Sequence, residues 1–288
     1  MSKAKPTKTP RVPENDPLSP AEQQILDLMK STYGTRLNSI SENTLIRYIR
    51  GYKDDAAPSD KALEMLGKML TWRETNHIEQ VSKEKLPKSE IFKSIWPSGL
   101  HGVGKDGHPI LINRVGQVDG AKLTKEFTMD EVTKFHIQEM ESLDAHKESE
   151  SKSRGRRVYK HIVILDLKGL GMGHLKERFT TPMKQFISID QDNYPETLHV
   201  MIVVNAGMLM KAAWKIAGAF IDPITKENIK FGSEHLPTYI DAANLPKIYG
   251  GHCGCAGGKC LEVPFVSGDA SAKIEIQPEP AAAGETIE

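Results

Sequence analysis

Only three cysteines occur among the 288 residues, all between positions 253 and 260. That excludes the disulfide framework of a small secreted scaffold. No apolar run approaches the roughly 20 residues needed to cross a bilayer. No apolar segment follows the basic N-terminus as a signal peptide requires. The expectation is a soluble, cytoplasmic chain. An excess of one charge is missing too. Thirty-eight Lys and Arg balance 38 Asp and Glu, so no overall field draws the protein towards nucleic acid. The sequence contains no H-E-x-x-H, G-x-S-x-G or G-K-[ST], which leaves no zinc protease, hydrolase elbow or phosphate loop to build on. Ten histidines are scattered along the chain, and no enzymatic activity is expected.

What the chain does have is apolar residues, 39% of the total, enough for one sizeable core plus a small helical lobe. The ends lack core formers and read as disordered. Residues 1–19 form a basic arm, with Lys3, Lys5, Lys8 and Arg11 and no acid as far as Arg11. Residues 263–288 form an acidic tail rich in Ala, Glu and Pro. Residues 20–89 are helical: Ile25, Leu26, Leu28 and Met29 mark one helix, and Leu45, Ile46 and Ile49 a second. After Pro58, with Ser59 as N-cap, Leu63, Leu66, Met69, Leu70 and Trp72 recur at helical spacing. Over residues 90–262 strands alternate with helices. The strands are 110–115, 158–167 and 197–207. The helices are 129–147, the segment KERFTTPMKQFISIDQD with Pro182 as a break or first-turn residue, and 208–221. Apolar, β-branched strands separated by helices predict a largely parallel sheet covered on at least one face.

One turn resembles a nucleotide cradle without being one. HIVILDLKGLGMGH (161–174) ends a strand in Gly169, Gly171 and Gly173. The dinucleotide fingerprint needs G-x-G-x-x-G directly after the strand. Here the third glycine comes one residue early, and Asp166-Leu167-Lys168 intervenes, so the turn reads as a flexible connection. The segment MLMKAAWKIAGAFI (208–221) is apolar nearly all round, with Lys211 and Lys215 on one stripe. Such a helix is either buried or covers an apolar cavity on one side and meets a bilayer on the other, its lysines snorkelling to anionic headgroups.

YIRGYKDD followed by TWRE, then WPSGLHGVGKDGHPILINRVG, HIVILDLKG, DNYPETLHVMIVVNAG, FIDPITKENIKF and ANLPKIYGGHCGC resemble, in order and spacing, the CRAL-TRIO lipid-binding family. The resemblance covers roughly residues 20–262 and is strongest to the yeast- and plant-type phosphatidylinositol transfer proteins. It implies an α/β fold in which a helical N-terminal lobe (20–89) precedes a CRAL-TRIO lobe (90–262). There a mostly parallel sheet floors an apolar cavity closed by a gate helix. By position the gate and pocket residues are Met208, Met210, Trp214, Ala217, Phe220, Ile221, His161 and Val163. The implied activity is exchange of a phosphatidylinositol-type phospholipid between membranes, or its presentation to lipid kinases and other lipid-modifying enzymes. The protein would associate reversibly with membranes, with no cofactor beyond the bound phospholipid. The alternative is a recognition module that binds another small hydrophobic ligand without transferring it.

The headgroup positions follow from the same resemblance. Glu196 of Y-P-E and Thr225 of D-P-x-T match the family pattern. Asn228 stands where the family has lysine, and Tyr52 followed by Lys53 where it has arginine. Asn and Tyr cannot supply charge-assisted hydrogen bonds, which are about twice as strong as neutral ones; Lys226 or Lys230 is positioned to compensate. The hydroxyl pair and tyrosines used by choline-lipid binders are replaced by His161, Val163, Leu100 and Leu111, so an inositol lipid is favoured over a choline lipid. The run HCGCAGGKC offers His252, Cys253, Cys255 and Cys260, the right number of donors for zinc. The C-x-C spacing is too tight for the usual knuckle, and plant-type relatives carry a similar C-T-C-x-x-x-G-G-C segment. The run therefore reads as a structural turn, with no metal expected.

Overall fold

The computed structural model describes residues 12–255 together with Cys260 and Leu261. The arm expected over residues 1–11 and the tail over 263–288 lie outside the described residues. In chain order the elements are α1 (Pro20–Tyr33), α2 (Glu42–Gly51), α3 (Pro58–Thr75), α4 (Ile78–Val81) and α5 (Ser89–Ile95), then β1 (Ser98–Val103) and β2 (Pro109–Asn113). α6 (Gly120–Glu126), α7 (Met129–Arg154), β3 (His161–Asp166), α8 (Glu177–Asn193) and β4 (Leu198–Val204) follow. The chain continues through α9 (Met210–Ala217), α10 (Pro223–Glu227), β5 (Ile229–Phe231) and α11 (Leu236–Tyr239).

The helical lobe forms where the spacing predicts it. Leu26 and Met29 of α1, Leu45, Tyr48 and Ile49 of α2, and Leu66, Met69 and Leu70 of α3 bury one another in a single cluster. α1 is started by a capping box in which the Ser19 backbone amide donates to Glu22 Oε2 at 2.8 Å and the Glu22 amide donates to Ser19 Oγ at 3.2 Å. α3 starts two residues earlier than predicted. Pro58, whose preset φ and missing N–H suit the first helical position, follows Ala57, which caps without a side-chain bond; Ser59 lies inside the first turn.

Residues 12–19 depart from the expected disordered arm. Arg50 hydrogen-bonds the carbonyls of Pro13, Glu14 and Asp16 at 2.9–3.1 Å. The Glu14 carboxylate accepts from the Tyr159 and Lys160 amides and lies 2.5 Å from His108 Nε2. Composition alone could not show that a buried guanidinium waits for these carbonyls.

Five strands form one sheet in the order β1-β2-β3-β4-β5, with β1 antiparallel to β2 and the other pairs parallel. Alternation along the strands gives each face its own residues. Ile112, Ile164 and Ile202 lie in register on one face, which Leu236, Ile240 and Leu245 cover. Leu111, Val163 and Met201 lie in register on the other, beneath α7 and α8. α7 runs to Arg154, past the predicted end at 147, and stops at Gly155 in the left-handed conformation (φ 60°). Pro182 does not interrupt α8; burial of Phe179, Phe186 and Ile189 holds the helix through it.

The glycine turn after β3 is a close-packed corner and not the flexible connection expected. A Cβ on Gly169 (φ 95°) would lie 2.8 Å from the Gly116 carbonyl oxygen. The buried Asp166 carboxylate accepts from the Lys168 amide, Asn205 Nδ2 and the Tyr249 hydroxyl at 2.7–2.9 Å. The D-L-K-G motif thus ties three loops together.

The two lobes are joined by ion pairs placed under cover. Asp144 of α7 meets the buried Arg47 at 2.7 Å and the buried Lys147 at 2.5 Å. Burial pushes the Asp144 carboxyl up, but the two cations outweigh it and hold the carboxyl well below its usual range. Removing the shared anion leaves two buried cations, a change that costs about 3–5 kcal/mol. Urea unfolding should show Asp144→Ala destabilised by about that amount; a loss below about 1 kcal/mol, as for an exposed pair, would contradict this account of the lobe contact.

Candidate functional site

Between the Leu111–Val163–Met201 face of the sheet and α8 the side chains meet only in part, through Ile189. They leave a chamber of about 580 Å³, within the roughly 300–1,000 Å³ of small-molecule sites. Its floor is the sheet. Met183, Phe186 and Ile187 of α8 form a wall, Met140 of α7 closes the depth, and Phe220 and Ile221 form the roof.

Polar groups gather at two places. On one part of the lining, Tyr52 after α2, Glu196 and Thr197 before β4, and Thr225 and Asn228 near β5 come from three separate segments. Glu196 sits in the left-handed region at φ 53°, a conformation that costs a non-glycine residue about 1–2 kcal/mol. Its carboxylate pairs with Lys160 Nζ at 2.9 Å. Asn228 Nδ2 donates to the Leu198 carbonyl at 3.2 Å. Burial, with Asp192 and Asp222 nearby, pushes the Tyr52 hydroxyl up to about 12, so it is a neutral donor at physiological pH. Burial and the neighbouring Lys147 hold His161 well below its ordinary value, so its ring is neutral; its Nδ1 lies 3.3 Å from Thr197 Oγ1.

The second polar group lies at depth. His136 of α7 stacks on Phe186 at 4.0 Å and holds Asp190 Oδ1 at 2.7 Å through Nε2. Glu139 approaches the other ring nitrogen at 3.8 Å and accepts from Ser98 Oγ at 2.7 Å. Burial works against charge on His136, yet Asp190 and Glu139 outweigh it and raise the imidazole to about 9. No lysine or arginine is among the lining residues, whereas Glu139, Asp190, Glu196 and Asp222 all are.

Of the expected site residues, Tyr52, His161, Val163, Glu196, Phe220, Ile221, Thr225 and Asn228 line the chamber. Lys53, Lys226, Met208, Met210, Trp214 and Ala217 do not. Lys230, the other proposed substitute for the missing lysine, bonds the Glu227 carbonyl at 3.3 Å and also stays off the wall. The predicted gate, 208–221, is not one helix. α9 spans Met210–Ala217 and stops at Gly218, where a Cβ would lie 2.7 Å from the Trp214 carbonyl oxygen. None of its residues is buried, so the buried-helix alternative does not hold. Trp214 packs edge-on against Phe231 at 5.2 Å, and Met208 is fully exposed. The roof residues follow the helix: the Asp222 amide donates to Gln191 Oε1 at 2.6 Å, Ile221 packs against the core, and Lys184 lies 4.8 Å from the Phe220 ring centre.

A model of the CRAL/TRIO domain matches residues 94–251. The chain belongs to the CRAL/TRIO family. Two Arabidopsis thaliana proteins are similar over most of it. "Phosphatidylinositol/phosphatidylcholine transfer protein SFH7" is 33% identical over 75% of this chain and 40% of its own length. "Phosphatidylinositol/phosphatidylcholine transfer protein SFH9" is 31% identical over 76% of this chain and 38% of its own length. "Protein real-time" of Aedes aegypti is 33% identical over 73% of this chain and 33% of its own length. The chain spans about two fifths or less of the length of these relatives. The solved structure "Crystal structure of Sfh5" has the same fold, with TM-score 0.63 and 15% identity over 85% of this chain and 94% of that one. The CRAL/TRIO fold accounts for the helical lobe, the mostly parallel sheet and the chamber above it.

The deep polar group was missed from sequence, although a signal exists. Val132, His136, Met140 and Leu143 share one stripe of α7, so His136 interrupts an otherwise apolar row. The sign of its pH effect follows from the raised pKa. Its ion pairs stabilise the fold fully below about 6.5, the unfolded value, and are lost as pH rises through about 9. His136→Gln should therefore cost about 3 kcal/mol at pH 6 and much less at pH 9.5, read by urea denaturation at both values. An equal cost at both would contradict a charged His136.

Proposed function

We propose that the protein binds a phosphatidylinositol-type phospholipid in this chamber and exchanges it between membranes without catalysis. One observation carries the reading. The apolar chamber carries Glu196, Thr225 and Asn228 among its polar lining residues, and the mouth is placed at these groups. Acyl chains lie over the Leu111–Val163–Met201 floor, and the headgroup stays at the mouth. Carboxylate and hydroxyl oxygens there accept from inositol hydroxyls, and the Thr225 hydroxyl and Asn228 amide donate to phosphate oxygen. The names of the Arabidopsis relatives support a phospholipid as cargo. Residues Leu111, His161 and Val163 on the wall offer no hydroxyl to a choline lipid.

Extraction from a bilayer exposes roughly thirty methylenes, each about 0.8 kcal/mol. The chamber must replace nearly all of that, so exchange is close to balanced and opening of the roof sets the rate. The cation–π contact of Lys184 with Phe220 contributes only about 0.5–1 kcal/mol at an exposed site, which suits a roof that lifts. Met208 and Phe220 are exposed beside Lys211 and Lys215, a surface fit to touch a membrane transiently. No helix among the described residues is long and apolar enough to cross one. A cytoplasmic site of action and delivery to lipid kinases accord with this exchange role.

A second reading rests on the wall's charge. With four carboxylates and no lysine or arginine lining it, the chamber also suits a neutral hydrophobic ligand held without transfer. Vesicle-to-vesicle transfer with labelled lipids separates the two. Labelled phosphatidylinositol should move, and Glu196→Ala should slow it about tenfold, the loss of one charged hydrogen bond. No transfer by the wild type would leave the second reading, and unchanged transfer by Glu196→Ala would remove Glu196 from the headgroup site.

A further inference from the structure

On the face of the sheet away from the chamber lies a cluster that lipid binding does not use. His101 follows Leu100 on β1. Leu100 packs with Leu111 and Val163 on the chamber side, so strand alternation turns His101 to the opposite face. There it meets the C-terminal segment. Cys253, Cys255 and Cys260 each bring a sulfur to the same point, and the four donor atoms all lie within 4.8 Å of one another. Cys253 Sγ and Cys260 Sγ are 3.4 Å apart, and Cys255 Sγ is 3.8 Å from His101 Nδ1. None of the three cysteines is in a disulfide.

We propose that His101, Cys253, Cys255 and Cys260 bind one zinc ion and thereby clamp the C-terminal segment to β1. A tetrahedral zinc with Zn–S of about 2.3 Å and Zn–N of about 2.0–2.1 Å sets its donors about 3.5–3.8 Å apart. The Cys255–His101 separation of 3.8 Å lies at the upper end of that range and the Cys253–Cys260 separation of 3.4 Å just below it. The surroundings also suit a ligand set. His101 makes a further hydrogen bond to the backbone of Cys260, which orients its ring as the outer partner of a ligating histidine does. His101, Cys253 and Cys260 are buried and Cys255 is exposed, so the ion has one open side for entry.

The tight C-x-C spacing is no obstacle, because the fourth donor is not the adjacent His252. It comes from β1, about 150 residues earlier in the chain, which local spacing cannot reveal. On binding, the three thiols enter as thiolates and their protons leave to water; no electron changes hands. The other converging set, Glu14, His108 and His199, needs no ion, since the Glu14 carboxylate is taken up by two amides and His108. The clamp would hold the segment that packs Leu261 onto the covered face and brings its backbone against Gly99.

Elemental analysis of the full chain, reduced, incubated with zinc chloride and desalted, tests this directly. The expected result is about one zinc per chain, retained in His252→Ala and lost in His101→Ala and Cys253→Ser. Titration of the wild type with cobalt(II) should give the thiolate charge-transfer and visible bands of a tetrahedral site, a readout that stands even where a variant fails to fold. The proposal is overturned by a wild-type chain that takes up no zinc or gives no tetrahedral cobalt spectrum. It is equally overturned by a Cys253–Cys260 disulfide in the purified protein, or by zinc lost from His252→Ala and kept in His101→Ala.

Discussion

A single sheet has two apolar faces, and burying one leaves the other to be covered by something else. Here the Ile112–Ile164–Ile202 face is closed completely by Leu236, Ile240 and Leu245. The Leu111–Val163–Met201 face is closed only in part, because α8 stands off from it and the roof after α9 reaches over as a loop. The remaining apolar area, at about 25 cal/mol per Å², is a standing reason to take up a ligand. The chamber's shape and its looped roof are both consequences of this unequal covering.

The helical lobe enters the same logic. It contributes Gly51 and Tyr52 to the chamber lining, and its position depends on contacts that tolerate little movement. The Tyr48 hydroxyl donates to the Asn193 carbonyl at 3.1 Å at the end of α8. Arg47 and Arg73 reach Asp144 and Glu141 on α7. A pocket built from two lobes has a fixed entrance only while these hold, so the buried ion pairs serve geometry more than net stability.

Much of this was legible in the sequence. Residues with strict periodicity, such as Leu66, Met69 and Leu70 or the β-branched run 162–164, report their burial through spacing alone. The motifs Y-P-E and D-P-x-T placed Glu196 and Thr225, which do line the chamber. What spacing could not supply was anything that depends on distant partners. β1 has two glycines among its six residues and β5 has only three residues, so both are defined by the strands they pair with. The order of residues 12–19 depends on Arg50. An apolar run does not show where a helix ends: α9 stops after Ala217, and a turn carries the roof residues Phe220 and Ile221. A lone histidine such as His136 does not show its charge in the sequence, because the charge depends on Asp190 of the facing α8 together with Glu139 one turn on.

The account rests on the chamber being a place for fatty chains and not a void left by imperfect packing. Native mass spectrometry of the chain as purified, followed by extraction and identification of what it carries, tests that most directly. The account predicts a population heavier than the bare chain by the mass of one phospholipid, with an inositol headgroup in the extract. A chain that flies only at its sequence mass, and yields no lipid even after incubation with phosphatidylinositol vesicles, would contradict it.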